Sequence, residues 1–430
     1  MFPAPHLLAF LIMTTPIILV FDGPIIDGLV LAAASVSVAI VALRIRPGEA
    51  GFLSTTIRSA AIFAAFPALW MLFQVLPLTT IGLAHPIWES AAVALGRPLG
   101  GSISIDPGDT LISLSRYLTV VAIALVAAAV ATDRRRSEWI LIVLTATTTM
   151  IALMLLMAGL GDFTFLSNRA RHAATDSVAL GFIIAAATAF PTFERCKVQQ
   201  PDQRGSKAWH WLAFVACLFA VAICTLAIIV SATSQVYFAV ACGVATLAVA
   251  VVTRRFKFGP WGYSAIISIA LVLAIAVVAF QPRSRTVDLT LAFAAHTSAP
   301  LIAVTQRILT ETSWMGTGAG TFAAILPIYQ GIDELAIGSV APTAAAAIAV
   351  EMGRPFLWAI LMAAIALVVT LLRGGLLRRR DSYYSTAGAS CVLAGTLLAF
   401  GNAALLSTPV LIIVAVIVGV AIAQSKSRLN

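Results

Sequence analysis

Read from end to end, the chain alternates long apolar runs with short polar connectors, and most runs have the length of a bilayer crossing. A transmembrane helix needs about 20 consecutive apolar residues. Twelve stretches meet that ruler, near 7–21, 27–44, 58–77, 114–132, 139–160, 174–192, 210–231, 235–252, 262–280, 355–373, 387–404 and 408–424. Apolar residues fill each run and do not alternate one in two, which excludes a transmembrane β-barrel. The pattern predicts an all-α polytopic membrane protein of about 12 transmembrane helices, a single integral membrane domain over 1–430. Two stretches, 78–113 and 281–354, are too long to be simple connectors. Trp88 lies among apolar residues in the first, and Trp314, Phe322 and Tyr329 do so in the second. They are therefore expected as a first outer loop and a large outer loop, each containing short helices instead of disordered chain.

Composition excludes the soluble alternatives. Of 430 residues, 60% are hydrophobic and 10% charged, whereas a soluble domain carries about 25% charged residues. The net charge of +9 implies orientation in the membrane and no nucleic acid, because the basic residues sit between spans and no DNA or RNA motif accompanies them. Nineteen of the 27 basic residues fall on one side of the twelve-span arrangement. The other side keeps eight, namely Arg97, Arg116, Arg169, Arg171, Arg283, Arg285, Arg307 and Arg354. Positive charge marks the cytoplasmic side, so both termini are expected there and the two long loops outside. The five cysteines sit in spans or in one basic connector, which points to neither a disulfide framework nor a zinc site.

Ionisable groups at membrane depth are costly and mark function by default. Here they gather at the outer ends of spans: Arg116, Asp162, Arg169, Arg171, His172, Asp176, Glu351 and Arg354, with Arg283, Arg285 and Arg307 in the large loop. Guanidinium groups match phosphate oxygens, so Arg116, Arg169, Arg171 and Arg307 are the candidate substrate-binding residues. The plainer alternative is that they anchor the chain among headgroups of membrane lipid. His172 and Glu351 are the candidate catalytic residues, His172 as a general base or simply an interfacial imidazole. No histidine shares a metal-ligand spacing with another ligand type, and neither metal nor cofactor is expected. The run Gly316-Thr317-Gly318-Ala319-Gly320-Thr321-Phe322 superficially suggests a nucleotide loop. It lacks the lysine and the preceding strand, so its glycines are read as allowing a tight turn and close helix approach.

Three segments, in order along the chain, resemble the O-antigen ligase and Wzy-type polysaccharide polymerase superfamily. Ile308 through Phe322 with its glycine run, followed by Pro327-Ile328-Tyr329, is similar to the family's large loop. Ser102 through Thr110, with Asp106-Pro107, resembles a Ser-x-Asp-Pro-x-x-Thr stretch of the first outer loop, and Asn168-Arg169 to Ala173 resembles a segment opening a span. The resemblance implies a cofactor-free glycosyltransferase of surface polysaccharide (lipopolysaccharide or exopolysaccharide) in the bacterial inner, cytoplasmic membrane. It would move an undecaprenyl-pyrophosphate-linked glycan at the periplasmic face to an acceptor glycan or lipid A core, alongside polysaccharide assembly proteins. The chain departs from the family in three places. Pro342 and Thr343 stand where the family has histidine and asparagine, Gln235 follows Ser234 where it has arginine, and another arginine is replaced near Ser298. Weakened or rerouted chemistry is the expectation, with Arg169, Arg171 and His172 as the substitute set. Two other classes fit the span count: a non-catalytic scaffold of an assembly complex, and a 12-span transporter or flippase.

Overall fold

The computed structural model describes residues 4–21, 23–44, 47–77, 82–160, 166–198, 204–256, 288–294, 298–331, 340–377 and 382–425, and these are helices and turns with no strand. The helices are α1 (Ala4–Met13), α2 (Thr15–Val20), α3 (Pro24–Arg44), α4 (Pro47–Val75), α5 (Ile87–Leu95), α6 (Pro107–Val130), α7 (Arg134–Leu160) and α8 (Asn168–Val198). They continue as α9 (Arg204–Ser231), α10 (Ser234–Phe256), α11 (Ala299–Glu311), α12 (Phe322–Tyr329), α13 (Ala344–Glu351), α14 (Arg354–Leu377), α15 (Ser382–Leu398) and α16 (Thr408–Ser425). Among the described residues, eight helices are long and apolar enough to cross a membrane: α3, α6, α7, α8, α9, α10, α14 and α16. The protein is an all-α, multi-pass membrane protein.

The differences from the twelve expected spans have local causes. The first is split at Thr14, whose Oγ1 and that of Thr15 fold back onto the Leu11 and Ile12 carbonyls at 2.8 and 2.6 Å, with Pro16 opening the next piece. The third corresponds to the shorter apolar part of α4, Ala60–Val75. The eleventh, α15, has 17 residues and ends before a 3₁₀ turn at Ala403–Leu406. The expected ninth, 262–280, lies outside the described residues. The fourth starts earlier than hydropathy indicates. Asp106 caps α6 by accepting from the Asp109 N–H at 3.1 Å, and Pro107 occupies the first turn, where its missing N–H costs nothing.

α8 and α16 form the centre. Some 78% of the apolar window of α8 and 67% of that of α16 are buried, against 17% for α3. α8 packs on α7, α9, α10, α15 and α16, while α16 also packs on α6, α2 and α15. Lipid gives helices no hydrophobic reason to associate, so close packing at small residues must supply the attraction. Gly181 of α8 lies against Thr148 of α7, and Gly419 of α16 lies against the Ala124 backbone of α6, where an added Cβ would collide. Some polar side chains inside the bundle are satisfied locally: Thr145, Thr148 and Thr149 of α7 donate to carbonyls one turn back at 2.7–3.0 Å. At the far end of the bundle, Gln424 Nε2 of α16 donates to the Ala131 carbonyl that ends α6 at 2.6 Å and to Ser137 Oγ at 3.0 Å.

The segment that carries α11, α12 and α13 makes a second small core. α11, α12 and α13 pack together through Leu301, Val304, Ile308, Phe322, Ile325 and Val350. Trp70 of α4 reaches across to it, donating from Nε1 to the Met352 carbonyl at 3.1 Å and stacking on Phe356 of α14.

Candidate functional site

Four helix ends meet at one side of the bundle: the last turns of α7 and α9 and the first turns of α8 and α10. Between them lies a cleft of about 380 Å³ lined by Leu155, Ala158, Gly159, Asn168, Arg171, His172, Thr175, Val230, Ser231 and Thr233. The α8 contributions, at 168, 171, 172 and 175, are spaced three and four apart and so share one helix face. Gly159, with no side chain, leaves room beside Val230. The cleft therefore has an apolar wall of Leu155, Ala158 and Val230 and a polar wall of amide, guanidinium, imidazole and hydroxyl groups.

Arg171 supplies the charge. Its Nη2 makes a long contact of 3.5 Å to the Ala158 carbonyl, and its buried Nε has no hydrogen-bond partner among the described residues. A guanidinium carries five donors, and the contact to Ala158 engages only one of them. His172, next in sequence, borders the same space.

The other sequence candidates lie elsewhere. Arg116 Nη2 of α6 pairs with Asp27 Oδ2 of α3 at 2.6 Å, and Asp27 Oδ1 accepts from Thr408 of α16 at 2.6 Å. Arg307 is exposed on α11 and donates to the Tyr329 carbonyl at 3.4 Å. Arg169 is exposed on the first turn of α8 and does not line the cleft. Arg354 pairs with Asp288 at 2.9 Å. The structure thus brings Arg171 and His172 together, and gives Arg116 and Arg307 partners of their own.

Glu351 belongs to a different assembly, the glycine loop. Gly316, Gly318 and Gly320 have φ of +79°, +108° and +82°, values that L side chains rarely adopt. These turns aim the loop's N–H groups inward, and each finds an internal acceptor. Gly316 N donates to Ser313 O, Thr317 N to Val350 O, Gly318 N to Glu351 O and Thr321 N to Gly318 O. Ala319 N donates to Gln74 Oε1 at 3.2 Å, and the Gly320 and Phe322 N–H groups face the Glu351 carboxylate, the latter at 3.2 Å. Alternating backbone N–H groups of this kind make an anion-binding concavity. Here the protein's own Glu351 carboxyl fills it, so the loop has no donor left for a nucleotide phosphate.

Burial pushes the Glu351 carboxyl up to about 7; the Gly320 and Phe322 N–H groups pull it down less strongly, and the Asp109 carboxylate adds to the rise. Opening the loop returns this group to its ordinary value of 4.5. Between those two values opening releases a proton, so loop stability is complete below 4.5 and lost as pH rises through about 7. Hydrogen exchange of the 317–322 amides, corrected for base catalysis, should show the opening constant rising by up to about tenfold per pH unit across that window. Glu351→Gln should flatten the dependence. A slope that survives in that variant assigns it to another group.

Gln74 is the residue that sequence reading missed. From α4 its amide donates to the Met315 and Glu351 carbonyls at 3.0 and 2.9 Å while accepting from Ala319, and its own backbone carbonyl accepts from Ser104 N at 3.0 Å. Asp176, singled out in the sequence by its depth, is fully buried in α8, and its Oδ1 accepts from Asn402 Nδ2 at 3.2 Å. Pro342 is buried before α13, and Thr343 caps that helix, accepting from Ala346 N at 3.0 Å and donating to Thr290 O at 2.7 Å. The positions where the resembling family carries histidine and asparagine are thus part of a helix start. No family model matches this chain, and no curated protein matches it either.

Proposed function

We propose that this protein acts in bacterial surface-polysaccharide biosynthesis in the inner membrane, binding an undecaprenyl-pyrophosphate-linked glycan in the Arg171–His172 cleft at the periplasmic face and transferring the glycan to an acceptor hydroxyl. The observation that carries the reading is the pairing of a guanidinium with unused donors and an imidazole on consecutive residues of one amphipathic cleft. A ligand with a doubly charged head and an apolar tail suits both walls. In the reaction the acceptor oxygen attacks the anomeric carbon, the bond from that carbon to the pyrophosphate oxygen breaks, and the lipid pyrophosphate leaves. Arg171 meets the charge that develops on the leaving group, and His172 takes the proton from the attacking hydroxyl. The resemblance of Asn168–Ala173 and Ile308–Phe322 to the O-antigen ligase superfamily supports the same assignment.

Charge-assisted hydrogen bonds are each worth about 1.5–3 kcal/mol, so Arg171→Ala should weaken binding of undecaprenyl pyrophosphate by roughly 10- to 100-fold. Arg307→Ala, whose parent side chain is exposed and does not line the cleft, should leave it within about twofold. Equal effects of the two, or none, would reduce Arg171 to an interfacial anchor.

The proposal includes twelve crossings with both ends cytoplasmic, on the asymmetry of basic residues. Accessibility must be read where side chains are exposed. Ser102 and Ser137 are 2% and 0% exposed and are poor reporters, whereas Arg97, Thr310 and Arg135 are exposed. Cysteines placed at Arg97 and Thr310 should react with an impermeant maleimide added outside intact cells, and one at Arg135 only after permeabilisation. Reaction of all three from outside overturns the orientation.

A further inference from the structure

Two sides of the cleft, at Thr175 and Thr233, stand next to side chains that grip one turn. Thr175 lines the cleft from α8, and the following residue, Asp176, accepts from Asn402 Nδ2 at 3.2 Å. Thr233 lines it just before α10, and two residues on, the Gln235 amide, turned so that both its atoms find partners, would donate to Phe293 O at 2.8 Å and accept from Gly401 N at 2.9 Å. The turn at 399–404 therefore feels both sides. It also carries the segment of α11, α12 and α13: the first N–H groups of α13, those of Ala344 and Ala345, donate to the Asn402 and Ala399 carbonyls at 3.1 and 2.9 Å. α13 ends at Glu351, which holds the glycine loop.

We propose that Asp176 is a positioning residue which, through Asn402, couples an anionic occupant of the cleft to that segment at α13; this rests on the reading that the cleft takes an anion. Three features single out Asp176. It is fully buried inside a span, where a carboxyl that serves no purpose is costly. Its Oδ2 has no hydrogen-bond partner among the described residues, so the network keeps an acceptor in reserve when α8 shifts. Asn402 fixes its own geometry, since its Oδ1 accepts from Ala404 N at 2.7 Å while Nδ2 holds Asp176. A movement of the α8 face that closes on a ligand thus pulls on the turn on which α13 begins.

The test supplies the anion covalently. In the full-length protein with its five native cysteines replaced by alanine, Asn168→Cys is modified with a sulfonate-bearing thiosulfonate, and hydrogen exchange of Ala344–Val350 is followed by mass spectrometry. Coupling between sites is typically five- to 150-fold, so modification should slow exchange there by about fivefold or more. A neutral methyl thiosulfonate should give a smaller effect. Asp176→Ala should abolish the slowing, and Asp176→Asn, which still accepts from Asn402, should retain it. Should Asp176→Ala fail to fold, Asn402→Ala cuts the same link from the other side. No slowing in the parent, or undiminished slowing in Asp176→Ala or Asn402→Ala, overturns the proposal. Undecaprenyl pyrophosphate is then added to the unmodified protein. If the covalent sulfonate couples and the lipid does not bind, the coupling stands and the assigned substrate falls.

Discussion

Gly318→Ala is expected to dislodge the segment of α11, α12 and α13 from the bundle. The φ of +108° lies where a side chain is strained by about 1–3 kcal/mol. The added Cβ would also collide with Ser104, whose hydroxyl is engaged with Thr110 at 2.8 Å and receives the Asp106 N–H at 3.2 Å. Overpacking of that kind costs roughly 1–3 kcal/mol more. Ser104 has no room to withdraw, because its N–H and carbonyl are held by Gln74 and by the Trp88 indole. Thermal unfolding in detergent should shift downward, and proteolysis near Ser313 should accelerate. Gly96→Ala is the control. Its φ of +62° is also left-handed, but an added Cβ there meets nothing within 4 Å, so only about 1–2 kcal/mol of backbone strain remains. Equal losses in the two variants would mean that the collision with Ser104 contributes nothing.

His172→Ala should lower glycan transfer by about 10²–10⁴-fold, the range of general acid–base help, while undecaprenyl-pyrophosphate binding stays within about threefold. The separation follows from position. On the proposed assignment, Arg171 holds the headgroup charge and His172 accepts the proton. Glu351→Gln should not match this loss, since its carboxylate is spent on the Phe322 and Gly320 N–H groups and does not line the cleft. Steady-state transfer from lipid-linked donor, measured beside equilibrium binding, distinguishes the outcomes. Unchanged transfer in His172→Ala removes the imidazole from the mechanism. Absence of transfer in the parent, with binding retained, favours the scaffold.

The two predictions rest on features that differ in how far sequence could reveal them. Helical, membrane-spanning character was legible because it is a running local average, and α7, α9 and α14 follow their apolar runs closely. The Asp106-Pro107 helix start was equally local, yet a hydropathy window passes over it because the first turns of α6 are polar. The task of the glycine run was readable as a tight turn; what it turns around was not. Gln74 bonds to residues 241, 245 and 277 positions away, and no short-range pattern marks a glutamine near the end of an apolar run as the centre of a hub. The arginines show a different limit. Hydropathy gives a residue's depth in the bilayer but not its bearing around the bundle axis. Arg116 and Arg171 share an outer level by that measure, yet one faces Asp27 of α3 and the other faces the α7–α9 cleft.

The central place of α16 also bears on how the chain is made. Its buried face fills the space between α6 and α8, and its Gln424 caps α6. Ribosomes deliver about 5–20 residues per second, so α6 and α8 are inserted on the order of tens of seconds before the helix that unites them. Through that interval the Ala124–Ala127 face that receives Gly419 meets lipid or an insertion factor instead of its partner. Assembly of the bundle must therefore be largely post-insertional, and a nascent chain stalled before Thr408 would present the membrane quality-control machinery with well-formed helices and an unsealed core.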